Sequence, residues 1–74
     1  MAYVQRTSTG DGENEIIRYD LPDKSTILVY RLPYVGEKGW VASMNKGGNK
    51  TIIASGTKRA ATRGADQYIE KWFK

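Results

Sequence analysis

The hydrophobic period of this chain changes once, at Lys58. Downstream of it Ala61, Ala65, Tyr68 and Trp72 recur at helical spacing, flanked by Gly64 and Ile69, and make one apolar stripe. Arg59, Thr62, Arg63, Asp66, Glu70 and Lys74 take the other side. Upstream there is no helical period, only short runs rich in β-branched and aromatic residues. One helix with one apolar stripe can cover one face of one sheet. The sequence therefore predicts an α+β fold: an antiparallel sheet of three to four strands with a single C-terminal helix packed on one face, in the order ββββα.

The strand runs are "EIIRYDL" (15–21), "STILVYRL" (25–32), "WVASMN" (40–45) and "KTIIASG" (50–56). A Pro-Asp turn joins the first two, and Gly47-Gly48 joins the last two as a tight hairpin. Residues 1–13, rich in Ser, Thr, Gly and acids, read as a flexible arm, leaving residues 14–74 as one domain. In "STILVYRL" both alternate sets, Ile27, Val29, Arg31 and Leu28, Tyr30, Leu32, are largely apolar. A half-exposed strand alternates apolar with polar. So either the arm folds over the second face, another molecule covers it, or β-branched residues stand exposed there.

At 74 residues the core is thin. The chain has neither cysteine nor histidine, which removes disulfides, thiolate metal sites, the commonest general base and the commonest zinc ligand. Asp11, Glu13 and Glu15 are the only local acidic cluster and have no metal-ligand spacing. No enzyme signature is present, and no cofactor or metal is expected. No apolar run approaches the roughly 20 residues that span a bilayer, and residues 1–9 lack a signal-peptide core, so a cytoplasmic protein without membrane contact is expected.

The formal charge of +4 is uneven: residues 1–38 carry a net of −1 and residues 39–74 a net of +5. Part of the excess sits at the helix start, where Lys58, Arg59 and Arg63 stack cations on a pole that favours anions. With Thr57 as N-cap, this corner is a candidate phosphate seat. A second cluster is the hairpin tip, with Asn45, Lys46, Asn49 and Lys50, where Lys suits phosphates and Asn suits an adenine edge. Arg18, Arg31, Ser43 and Thr51 add polar positions within strands. If these features converge on one end of the molecule, they make a duplex-DNA interface.

From Gly39 to Phe73 the chain resembles the arm-site-binding domains of tyrosine-type phage integrases, a three-stranded sheet plus helix that plant ethylene-response-factor domains share in outline. The resemblance rests on Trp40 opening a strand, the charged hairpin from Lys46 to Lys50, a strand ending at Gly56 and an Ala-bearing capped helix. It implies a sheet that enters the major groove and makes Ser43, Asn45, Lys46, Lys50 and Thr51 contact candidates. The helix start, Thr57-Lys58-Arg59 with Ala61 and Ala65, is also similar to the phosphate-binding corner of double-stranded-RNA-binding domains. Those domains begin with a helix, whereas this chain begins with strands.

The expectation is thus a small non-enzymatic nucleic-acid-binding protein, with DNA favoured over RNA. The alternative is a phage-type accessory or inhibitor protein that binds another protein, alone or as a homodimer paired through a sheet edge. Its interface candidates are Tyr34, Val35 and Trp40, with Ile27 and Val29 on a spare apolar strand surface.

Overall fold

The computed structural model describes residues 4–32 and 39–73. Five strands, β1 (Gln5–Thr9), β2 (Ile16–Asp20), β3 (Thr26–Arg31), β4 (Trp40–Lys46) and β5 (Asn49–Gly56), are followed by one helix, α1 (Lys58–Phe73). The sheet is a meander in which every pair is antiparallel and every neighbour in space is a neighbour in sequence. The α+β class and the single C-terminal helix agree with the sequence reading. The strand count does not: there are five strands rather than three to four.

The additional strand comes from the segment expected to be an arm. Gln5–Thr9 pairs with β2 along its whole length, placing Arg6 opposite Tyr19 and Thr9 opposite Ile16. All five residues are exposed, so no apolar alternation marks the strand in the sequence. Its β-branched threonines and backbone pairing hold it to the sheet edge. Val4, just before it, packs against the core.

The turns follow local chemistry. Between β2 and β3, Leu21 and Ser25 close a backbone hydrogen bond of 3.0 Å, and the Asp23 carboxylate accepts from both the backbone N–H and the hydroxyl of Ser25. Between β4 and β5, Gly47 and Gly48 both have positive φ, 58° and 85°, as a two-residue hairpin with the twist of its strands requires.

The core lies between α1 and one face of the sheet. Ile17 of β2, Ile27 and Val29 of β3, Ala42 of β4, and Ala61 and Ala65 of α1 are buried, with Tyr19 and Trp40 at its margins. A register shift between Ala42 and Ser43 leaves Ile53 as the extra residue of a bulge in β5, and both Ile53 and Ala54 pack against the core. The helix approaches β5 so closely that a Cβ placed on Gly64 would lie 2.3 Å from the Ala54 Cβ. Thr57 caps α1 as expected, its hydroxyl accepting from the Ala60 N–H at 3.2 Å.

Candidate functional site

Cross-strand pairing sorts the polar candidates onto two faces and two ends. On the face away from the helix, Leu28 stands opposite Ser43, and Ser43 opposite Ile52; Tyr30 stands opposite Val41; Thr26 opposite Asn45, and Asn45 opposite Lys50. β1 and β2 extend this face with Thr7 beside Arg18 and Thr9 beside Ile16. Ile16 and Leu28 together line two shallow hollows, one of which also includes Tyr30, Arg31 and Lys50. Lys50 lies across the face with its Nζ 5.3 Å from the Tyr30 ring centroid.

Since β1 extends the sheet sideways, no segment among the described residues covers this second face. Its centre is apolar: Ile16 and Ile52 remain 44% and 53% exposed, and Leu28 and Tyr30 are half-buried. The alternate set Leu28 and Tyr30 is therefore the outward-facing one. Ile27, Val29 and Trp40, named as interface residues for the protein-binding alternative, instead belong to the core beneath α1. Tyr34 and Val35 lie outside the described residues.

The nucleic-acid candidates do not converge. Ser43 is on the face away from the helix but only 2% exposed. Thr51 stands opposite Met44, a residue that packs on the core, and so belongs to the helix side of the sheet. Asn45, Lys46, Asn49 and Lys50 are exposed at the hairpin end. The helix start is at the other end of β5, eight residues and therefore about 25 Å away. The hairpin tip and the helix mouth are at opposite ends of the molecule rather than at one.

Lys46 and Lys58 are held in ion pairs, in addition to the contact of Lys50 with Tyr30. Lys46 pairs with Asp23 at 3.4 Å. Lys58 forms an ion pair with Glu15 and lies 5.7 Å from the Trp40 ring centroid. The Lys58 hydrogen bond, assisted by the Ser8 hydroxyl, holds the Glu15 carboxyl below its ordinary range; slight burial opposes this. The hydrogen bonds from Ser25, with help from Lys46, do the same for Asp23.

Arg59 and Arg63 remain. Both are exposed, and neither has an ion pair among the described residues. They border a cleft of about 720 Å³ between α1 and the β1–β2 side of the sheet, whose lining also includes Arg6, Ile17, Thr62 and Gln67. The Arg6 guanidinium lies 5.7 Å from the Tyr19 ring centroid. The Tyr19 hydroxyl donates to Asp66 at 3.2 Å, and burial, followed by the Asp66 charge, pushes its pKa up to about 12. Arg6 escaped the sequence reading because it lies in the segment taken as an arm. The run of threonines around it was the available cue. Among the described residues, no group of three or more acids is arranged to hold a metal ion, and no helix is long and apolar enough to cross a membrane.

No protein-family model matches the chain, and the comparisons with curated proteins and with solved structures likewise give no match.

Proposed function

We propose that this protein is a non-catalytic binding module that docks another protein on the face of its sheet opposite the helix. One observation carries the reading: among the described residues α1 covers one side only, β1 widens the sheet instead of folding over the other side, and Ile16 and Ile52 stand exposed on that other side with half-buried Leu28 and Tyr30. Thr7, Thr9, Arg18 and Asn45 surround these residues with polar groups, and Lys50 lies over the Tyr30 ring. An apolar centre within a polar rim is the usual anatomy of a protein interface.

The test is the affinity for a partner isolated from the source cell and then purified. Ile52→Glu, at an already exposed position, should weaken that binding by at least about tenfold, or 1.4 kcal/mol, while leaving the fold intact. Arg63→Gln, on the helix side, should not. Unchanged affinity in the Ile52 variant removes the reading.

Duplex-DNA binding is retained as a second reading because exposed Arg59 and Arg63 have no ion pair among the described residues. The width of the sheet counts against its major-groove form. Five strands span about 19 Å, against a groove of about 12 Å, so only the β4–β5 edge would enter. A DNA-binding protein shifts with random duplex at about 50 mM salt and releases it steeply as salt rises. A protein-docking module does not shift.

A further inference from the structure

We propose that the cleft between α1 and β1 binds a small diphosphate-bearing ligand, held by Arg6, Arg59 and Arg63. This goes beyond the docking face, which lies on the other side of the sheet. The cleft, of about 720 Å³, is within the range of small-molecule sites, roughly 300–1,000 Å³. Its cations come from two elements far apart in the chain: Arg6 from β1, and Arg59 and Arg63 from successive turns of α1.

The charges available to a ligand differ from the lining as a whole. Glu15 is paired with Lys58 and accepts from Ser8, whereas Asp66 keeps its negative charge, since the Tyr19 hydroxyl that donates to it is neutral. Arg59 and Arg63 have no ion pair among the described residues, and Arg6 rests over an aromatic ring, a contact that orients its guanidinium without neutralising it. Guanidinium groups present paired donors that match phosphate oxygens, and three of them suit two phosphates better than one. Gln67 adds a neutral hydrogen-bonding group, the Thr62 hydroxyl donates to the Lys58 carbonyl, and Ile17 is an apolar element of the wall.

The same lining sets the size of the ligand. Along α1 the cleft runs from Arg59 and Arg63 to Asp66 and Glu70. An extended polyanion laid along the helix would meet those carboxylates, whereas a compact diphosphate stays beside the arginines.

The experiment titrates inorganic pyrophosphate into the isotope-labelled full chain, with ionic strength held constant so that screening is not read as binding. The expected result is saturable movement of the Arg6, Arg59 and Arg63 amide resonances, with an apparent Kd below about 1 mM. Arg6→Gln and Arg63→Gln, both at exposed positions, should each weaken binding about tenfold, and Lys46→Gln at the opposite end should leave it unchanged. Shifts that do not saturate, or an equal loss in the Lys46 variant, would show a diffuse counterion response and overturn the proposal. It is equally overturned if duplex DNA moves these resonances and pyrophosphate does not. Either failure leaves the docking face untouched, because Ile52→Glu reports on that face alone.

Discussion

Single residues hold this thin fold together at contacts whose pH dependence can be worked out. Glu15 and Asp23 are both held below the ordinary carboxylate range, Glu15 chiefly by Lys58 and Asp23 chiefly by Ser25. A carboxyl with a depressed pKa in the folded state contributes stability at pH values above its unfolded pKa and loses it as pH falls through the folded one. Urea midpoints should therefore be flat near neutrality and fall as the solution is acidified through and below about pH 4. Glu15→Gln should lower the neutral plateau and flatten the acid limb. Gly64 is a different case, governed by space. Alanine is the better helix former by about 1 kcal/mol, yet its methyl group would collide with Ala54. Gly64→Ala should therefore destabilise the protein by about 1–3 kcal/mol in denaturant titrations, and adding Ala54→Gly should restore most of the loss.

At the scale of elements, legibility followed burial. β2, β3, β4 and α1 could be read because each buries a face, leaving a period in the sequence; β5, with no fully buried residue, is marked by its β-branched run and the Gly47-Gly48 turn before it. β1 could not, since all five of its residues face solvent and its identity is set by pairing with β2. The cap at Thr57 was readable as local chemistry. Replacing it with alanine should cost about 1 kcal/mol, measured as a lowered urea midpoint with unchanged slope. The candidate site was only partly readable. Arg59 and Arg63 announce themselves at the helix start, but Arg6 joins them only once β1 is in the sheet. The separation of hairpin and helix mouth was implicit in chain order, because β5 begins at one and ends at the other. Identifying the outward set of β3 as Leu28 and Tyr30 needed the strand register, because both alternate sets are apolar.

For the whole molecule, the two proposed surfaces lie on opposite sides of one sheet and meet only at Glu15, so a substitution elsewhere on one can leave the other intact. Docking belongs to the face centred on Ile16 and Ile52, and anion capture to the cleft beside α1. The order β1-β2-β3-β4-β5 has a consequence for how such a chain assembles. Because no strand waits for a distant partner, each hairpin can zip onto the last with short loop closures, so refolding should be fast for a β-rich domain, within milliseconds in stopped-flow dilution from urea. A meander also has free ends in the topological sense: removing residues 1–10 takes away an outer rung without rethreading the remaining ladder, and the shortened chain should keep its cooperative melt while losing the Arg6 side of the cleft.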